Sequence, residues 1–291
     1  MQKSNHNIKT ACITGTVAKA ADRYAMDVMG LKSLTLMETA SSKIAEFVMR
    51  HDPLNGGDFQ HPEESIAASR DDGNDSECPE KTESKGRTLK ISVLCGVGNN
   101  GADGVCASRM LLGEGYQPKV YIVGNLEKAS WEFLYQLCHF QQAGGTVTMY
   151  HPDVDTANAG EAAVMAAHPD SDTAADDASP FRANRLPDDD ILIDGIFGIG
   201  LHREIAGDYR AFIEEANRRR HGFVLAIDAP SGINTDTGEL MGCGIKADVT
   251  ITFGRNKSGL VCGAGQNFAG RVLVEDIGIP DEAYIEAETH A

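Results

Sequence analysis

The chain has 291 residues, of which 42% are hydrophobic and 24% charged, a composition typical of a globular protein with a core of normal size. No apolar run approaches the roughly 20 residues that a membrane-spanning helix needs, and the polar segment 1–10 lacks the apolar stretch of a signal peptide, so we expect a cytoplasmic protein without a membrane partner. The net charge of −17 argues against nucleic acid as a partner.

Most of this negative charge falls in two segments that have few large apolar side chains. Residues 51–88 carry ten acidic and four basic side chains, and residues 152–190 carry ten acidic and two basic ones. Such segments bury too little apolar surface to offset the entropy lost on ordering. We therefore predict a single domain over 1–291 that carries acidic insertions at about 51–88 and 152–190.

The remaining sequence predicts two helices followed by alternating strands and helices. Apolar residues at helical spacing indicate helices at 16–29 and 34–50, separated by Gly30. Strands are predicted at 89–95, 119–123, 146–150, 190–194, 223–228, 248–253 and 271–276. Further helices are predicted at 102–114, 128–143 and 207–220, and the pattern EAAVMAAH favours another at 161–168. This order predicts a Rossmann-like three-layer α/β/α sandwich with a mainly parallel sheet and an N-terminal helical extension.

Three polar, glycine-containing segments each follow directly after a predicted strand. They are GVGNNGADG (96–104), DGIFGIGLHRE (194–204) and DAPSGINTDTG (228–238). Ligands of open parallel sheets bind outside the carboxyl ends of the strands, so we expect these segments to share one site. Any one of them alone could be ordinary turn chemistry, because Gly, Asn, Asp and Pro are common turn residues.

The first segment matches the phosphate-binding pattern GxGxxG through Gly96, Gly98 and Gly101. A dehydrogenase also needs an acidic residue at the end of the second strand to hold the ribose hydroxyls. Gly124 and Asn125 occupy that place here. An NAD(P)-dependent oxidoreductase is therefore the weaker alternative.

The side chains that the three segments offer as ligands are hard oxygen donors. Asn100, Asp194 and Ser231, with backbone carbonyls, suit a hard cation better than zinc or copper. Because few carboxylates are available, a monovalent ion such as K⁺ is reasonable. It is an equally good interpretation that Asn100 and Ser231 only satisfy backbone groups in tight turns. Asp194 is expected at the surface-facing end of its strand. The seven cysteines form no CxxC pair and are expected to be reduced structural thiols.

Several further motifs occur in a fixed order along the chain. They are ADRYAMDVMGLKSLTLMETAS, CGVGNNGADGVCASRMLLGEGYQPKVYIVG, ILIDGIFGIGL, FVLAIDAPSGINTDTGE, ADVTITFGRNKSGLVCGAG and GRVLVEDIGIP. This series resembles the NAD(P)H-hydrate epimerases, also called the YjeF N-terminal domain family. The resemblance covers all of the chain except the two acidic segments and the ends.

The resemblance implies a substrate, an activity and a set of site residues. The substrate would be NADH or NADPH that carries a hydroxyl on its reduced nicotinamide ring, and the enzyme would interconvert the two epimers. A separate dehydratase would be the functional partner, and a homodimer is compatible with the family. K⁺ would bind at Asn100, Asp194 and Ser231. The implied substrate contacts are Asn99, Asn100, Gly101, Ala102, Asp103, Gly198, Ile199, Gly200, Leu201, His202, Arg203, Glu204 and Asp228.

Two of these residues depart from the pattern of the family. Ala102 replaces a glycine, which the fold should tolerate unless the backbone needs a positive φ. Glu204 replaces a proline and puts a negative charge near the expected path of the phosphates.

The implied reaction requires proton transfer at one carbon atom. The carbon that bears the hydroxyl also bears the ring nitrogen, so it can lose hydroxide to an iminium-like cation and regain water on either face. One carboxyl group could alternate as acid and base. Asp228 is the catalytic candidate, and Lys257 is a weaker one that is expected to be an ordinary surface lysine. The alternatives are an aspartate that only caps a turn, and a non-catalytic nucleotide-binding scaffold.

Overall fold

The computed structural model describes residues 12–59, 88–152, 182–183 and 185–290. Within these residues, eight strands form one sheet in which every pairing is parallel. The strands are β1 (Ile91–Cys95), β2 (Lys119–Ile122), β3 (Thr146–Tyr150), β4 (Arg182–Ala183), β5 (Asp189–Gly195), β6 (His221–Ile227), β7 (Val249–Phe253) and β8 (Arg271–Glu275). Their spatial order is β4-β3-β2-β1-β5-β6-β7-β8. The chain therefore changes direction across the sheet between β1 and β5, which is where such folds bind ligands.

Helices cover both faces of this sheet, and central strands such as β1 and β7 are accordingly buried on both sides. The described helices are α1 (Gly15–Asp27), α2 (Ser33–His51), α3 (Asn99–Gly113), α4 (Trp131–Gln142), α5 (Gly207–Asn217), α6 (Gly265–Phe268) and α7 (Asp281–His290). One core joins α2, α3 and α4 to one face of the sheet, and a second core joins α5 to the other face. α1 and α7 pack together in a third cluster. The predicted three-layer α/β/α architecture with an N-terminal helical extension is confirmed.

Three elements were not predicted, and one begins earlier than expected. β4, α6 and α7 are short or lack a strong apolar pattern; in α7 only Ala283, Tyr284 and Ala287 are buried. α3 begins at Asn99 instead of residue 102, so the asparagines of the first polar segment lie in its first turn. The polar loop is therefore shorter than the sequence suggests.

The start of the first predicted acidic segment and the end of the second belong to the folded body, which corrects those two boundaries. In the first segment, Asp52 is buried and accepts hydrogen bonds from Leu54 N and Tyr116 Oη, each 2.9 Å long. Phe59 is buried, and its ring centroid lies 5.1 Å from that of Phe223. In the second segment, β4 and the start of β5 pair with the sheet. The rest of both segments, including the helix predicted at 161–168, lies outside the described residues.

Two smaller predictions concern the cysteines and the membrane. Among the six cysteines of the described residues, Cys95 and Cys106 are buried, as predicted for structural thiols, Cys243 is half-buried, and Cys12, Cys138 and Cys262 are exposed, which contradicts that prediction for these three. Within the described ranges we find no helix with the length and apolar content of a membrane span.

Candidate active site

The three polar segments meet at the carboxyl edge of the sheet, as predicted. Gly96, after β1, lies so close to the loop after β5 that a methyl group on it would be 2.4 Å from Ile196 O. A methyl group at Gly198 would lie 2.9 Å from Asn100 Oδ1 and 3.4 Å from Asp228 Oδ2. Gly198 therefore marks the point at which the loops after β1, β5 and β6 converge.

The glycines of the GxGxxG pattern serve mainly to let backbone approach backbone. A Cβ atom at Gly101 would lie 1.8 Å from Gly96 O, so this position requires a glycine. Gly98 precedes α3 and has open space around it. The first intrahelical bond there runs from Ala102 N to Gly98 O, 3.0 Å, which leaves the N–H groups of Asn99–Gly101 without helical acceptors. Ala102 is buried in a helical conformation, so its replacement of glycine causes no strain.

Asp194 is fully buried, which contradicts the expectation of a surface-facing carboxyl. Its Oδ1 accepts a hydrogen bond from Ser231 Oγ (2.5 Å), and its Oδ2 accepts one from Ser231 N (2.7 Å). Ser231 Oγ in turn accepts a bond from Phe197 N (2.9 Å). Burial raises the pKa of Asp194 to about 6, although the bonds from Ser231 oppose the shift. The Asp194–Ser231 pair fastens the loop after β5 to the loop after β6.

The amide of Asn100 lies between these loops. Its backbone carbonyl would be 3.1 Å from a Cβ atom on Gly195, and its side-chain Oδ1 faces Gly198. Its Nδ2 is buried and has no acceptor within the described residues. A buried amide without a partner is costly, so this group is available to a bound ligand.

Asp228 adopts an unusual backbone conformation at the end of β6. The strand ends at Ile227, one residue earlier than predicted, and Asp228 is the only described non-glycine residue with a positive φ, 63°. Such strained residues are frequent at functional sites. Its Oδ1 accepts hydrogen bonds from Thr252 Oγ1 (3.1 Å), Phe253 N (3.3 Å) and Lys257 Nζ (2.7 Å). Its Oδ2 faces the Gly198 loop and has no donor among the described residues.

Lys257 is buried, so the prediction of an ordinary surface lysine is wrong. Only 2% of its surface is exposed. Its ammonium group donates to Asp228 Oδ1 (2.7 Å), Thr252 Oγ1 (2.9 Å) and Phe253 O (2.8 Å). All three protons of the ammonium are thereby used, and Lys257 neutralises and orients Asp228.

The charge of Asp228 acts on two further carboxyl groups, Asp103 and Asp22. The pKa of Asp103 lies well above its usual range. Burial of the carboxyl is the largest cause, and the charges of Asp228 and Asp22 raise the pKa further. Burial raises the pKa of Asp22 to about 6; the charge of Lys257 lowers it and that of Asp228 raises it. Sequence reasoning missed Asp22, although one signal was available. Asp22 follows the buried Ala21 and shares the helical face of Ala18 and Ala25, where a charged residue is unusual.

The loop after β5 is part buried and part exposed. Ile199 packs against the α1–α7 cluster, and Leu201 is buried against α5 and its neighbours. Gly200, His202, Arg203 and Glu204 are exposed. Glu204 Oε1 lies 4.0 Å from Arg210 Nη1, so a neighbouring cation offsets the negative charge that replaces the expected proline.

The fold and the site together define a Rossmann-like α/β protein whose candidate ligand site lies at the carboxyl ends of β1, β5 and β6. Residues 33–259 match the family model described as YjeF-related protein N-terminus. The chain therefore belongs to this family.

Relatives and a solved structure agree with this assignment. A protein of Limosilactobacillus fermentum named NAD(P)H-hydrate epimerase is 34% identical over 266 residues, which cover 91% of this chain and 95% of the relative. A relative of the same name from Oenococcus oeni is 32% identical, covering 69% of this chain and 81% of its own length. The crystal structure of the yeast protein ynu0 aligns with a TM-score of 0.60 at 18% identity, covering 91% of this chain and 88% of the yeast chain, and shares the fold.

Proposed function

We propose that the protein is an isomerase that interconverts the two epimers of hydrated NADH and NADPH. The chain matches relatives named NAD(P)H-hydrate epimerase over nearly their full length. The observation that carries the proposal is the Asp228 carboxylate, which is held by buried Lys257 and turns its second oxygen toward Gly198 and Asn100. This edge of the sheet combines a proton-transfer group with unpaired polar groups for a ligand.

The residues around this edge offer suitable contacts for a hydrated dinucleotide. The unpaired N–H groups at the start of α3 and the helix dipole favour a phosphate. The exposed Arg203 can pair with a phosphate oxygen. The proposed substrate contacts are those at Asn99–Asp103, Gly198–Glu204 and Asp228.

Within the proposed reaction, Asp228 serves as a base. The C–O bond at the ring carbon breaks as the hydroxyl takes up a proton and leaves as water, and the ring nitrogen stabilises the resulting cation. Water then adds to the other face and gives up a proton. Asp228 Oδ1 is bonded to the Lys257 ammonium, and Oδ2, which faces the Gly198 loop, is the oxygen positioned to accept that proton. A different group must then protonate the departing hydroxyl.

We also propose that K⁺ binds at Asn100, Asp194 and Ser231. These residues supply oxygen donors and a single carboxylate, which fits a monovalent cation. The two oxygens of Asp194 accept three hydrogen bonds, from Ser231 Oγ, Ser231 N and Ile196 N, which leaves room for a further partner. When bound, the ion would supply positive charge at the edge of the sheet that carries the proposed substrate contacts.

K⁺ is expected to raise the melting temperature of the protein relative to tetramethylammonium at equal ionic strength. Binding to the folded state alone stabilises it by about 2.7 kcal/mol when the ion concentration is 100 times Kd. Asp194→Asn keeps the shape of the buried side chain and should abolish the K⁺ effect, whereas Asp188→Asn, at the opposite edge of the sheet, should retain it. An equal K⁺ effect in Asp194→Asn would contradict the assignment.

The alternative of a dehydrogenase has less support. The Asn125 side chain accepts a hydrogen bond from Glu127 N (2.9 Å), and a Cβ atom on Gly124 would lie 2.3 Å from Tyr209 Oη. The end of β2 thus offers no carboxylate to the ribose hydroxyls. A scaffold would have no use for a buried Lys257–Asp228 pair next to an unpaired amide. The partner dehydratase, the homodimer and the cytoplasmic location stay predictions.

The decisive experiment supplies one purified epimer and follows the other by chromatography. We expect the enzyme to equilibrate the two epimers much faster than the spontaneous reaction, with no change in the absorbance of the reduced nicotinamide. A rate equal to the uncatalysed one would refute the epimerase, and oxidation of the nicotinamide with a second substrate would favour the oxidoreductase.

A further inference from the structure

The carboxyl end of β7 holds both the backbone and the side chain of Asp228. Asp228 N donates to Ile251 O (2.7 Å). The next two residues of the strand bind the carboxyl group, since Thr252 Oγ1 and Phe253 N lie 3.1 and 3.3 Å from Asp228 Oδ1. Thr252 is the one of these three residues that contributes a side-chain group, so its contribution can be removed without changing the backbone.

The direction of the hydrogen bonds at the Thr252 hydroxyl is fixed by its two partners. Lys257 Nζ lies 2.9 Å from Thr252 Oγ1, and an ammonium group can only donate. The hydroxyl oxygen therefore accepts from Lys257, and the hydroxyl proton points to Asp228 Oδ1, 3.1 Å away. Thr252 is fully buried, so bulk water does not reach this hydroxyl.

The two oxygens of the Asp228 carboxyl consequently have different surroundings. Oδ1 accepts hydrogen bonds from Lys257 Nζ, Thr252 Oγ1 and Phe253 N. Oδ2 has no donor among the described residues and lies 3.4 Å from the position of a Cβ atom on Gly198. A proton can therefore bind to Oδ2 without breaking any of these three bonds, whereas a proton on Oδ1 would displace one of them.

We propose that Thr252 is a positioning residue that fixes the rotation of the Asp228 carboxyl, so that Oδ2 is the oxygen that takes part in proton transfer. Its role in catalysis rests on the proposed function. The terminal torsion of an aspartate side chain has only a broad intrinsic preference, so the hydrogen bonds decide how the carboxyl is turned. In the reaction, a water molecule forms the new C–O bond and gives a proton to Oδ2, while Oδ1 keeps its three donors.

Thr252→Val tests this proposal, because valine has nearly the same shape as threonine and lacks the hydroxyl. The substitution removes one donor from Asp228 Oδ1 and one acceptor from Lys257 Nζ. We expect kcat to fall by about 10²-fold, the usual effect of displacing a reacting group by about 1 Å. KM should stay close to the parental value, because Thr252 is buried behind the carboxyl. Thr252→Ser keeps the hydroxyl and should retain most of the parental turnover.

Thr250→Val is the matched control. Thr250 precedes Thr252 by two residues in β7, so both side chains lie on the same face of the sheet, and both are fully buried. The Thr250 hydroxyl donates to Ala269 O (2.7 Å) and not to Asp228. Thr250→Val thus loses a buried hydrogen bond of the same kind, and its kcat should remain close to the parental value.

A measurement on the protein alone separates this proposal from the epimerase assignment. The infrared stretching bands of the Asp228 carboxylate can be identified by their loss in Asp228→Asn, and the separation of the two bands depends on how unequally the two oxygens are hydrogen-bonded. This separation should change in Thr252→Val and stay unchanged in Thr250→Val. If it does so but the parent protein does not epimerise the substrate, the proposed function fails and the positioning of the carboxyl stands.

Three outcomes would overturn the proposal. One is a Thr252→Val protein that retains the parental kcat or loses no more of it than Thr250→Val. The second is a band separation that Thr252→Val does not change. The third, which needs no folded Thr252→Val protein, is a band separation in the parent protein equal to that of a freely solvated aspartate.

Discussion

Asp228→Asn is expected to lower the turnover of the hydrated dinucleotide by roughly 10²–10⁴-fold, the usual contribution of general acid–base catalysis. Asparagine tolerates the positive φ of 63° at this position better than most residues, so the backbone should be retained. The amide oxygen can still accept hydrogen bonds from Thr252 and Lys257, but the amide cannot accept a proton from water. Steady-state rates with one purified epimer, together with equilibrium binding of that epimer, measure the two effects separately.

The control for this experiment is Asp188→Asn. Asp188 is exposed and lies at the amino end of β5, at the opposite edge of the sheet, where it accepts a hydrogen bond from Arg220 N (3.1 Å). It should turn over the substrate at the parental rate. Near-parental turnover by Asp228→Asn would leave Asp228 with a binding or capping role and assign proton transfer to another group of the site.

The sequence was sufficient to predict the sheet and the edge that carries the site. Strands such as 91–95 and 249–253 contain no charged residue and combine apolar residues with one or two Ser or Thr, which is typical of strands buried on both faces. Their alternation with helices implies a parallel sheet, and a parallel sheet brings the polar segments after β1, β5 and β6 to one edge. The convergence at Gly198 follows from this topology.

The environment of individual site residues could not be predicted, because it depends on contacts between distant parts of the chain. Nothing near Lys257 in sequence indicates burial; its ammonium is enclosed because β6 and β7 are neighbours, which brings Asp228 within 2.7 Å. Asp194 was expected at the surface, but the loop that carries Ser231 covers it. Asp22 joins the site only because the chain ahead of α1 pairs with residues 256–258.

Lys257→Met is expected to lower the free energy of unfolding by about 3–5 kcal/mol, the usual cost of removing one partner of a buried ion pair. Methionine preserves most of the apolar stem but leaves Asp228, whose side chain is 12% exposed, without its compensating charge. Thr252 Oγ1 and Phe253 O also lose a hydrogen-bond donor. Denaturant unfolding at neutral pH measures the loss, and the exposed Lys246→Met should change the stability by less than about 0.5 kcal/mol.

The double variant Lys257→Met with Asp228→Asn identifies the cause of this loss. If the cost comes from an uncompensated carboxylate, neutralising Asp228 should restore part of the stability, so that the double variant is more stable than Lys257→Met alone. If the cost comes only from lost packing and hydrogen bonds, the two effects should add. The activity of Lys257→Met should fall as well, because the ammonium no longer holds the Asp228 carboxyl in place. A Lys257→Met protein with parental stability and turnover would show that the buried pair neither supports the fold nor prepares Asp228 for proton transfer.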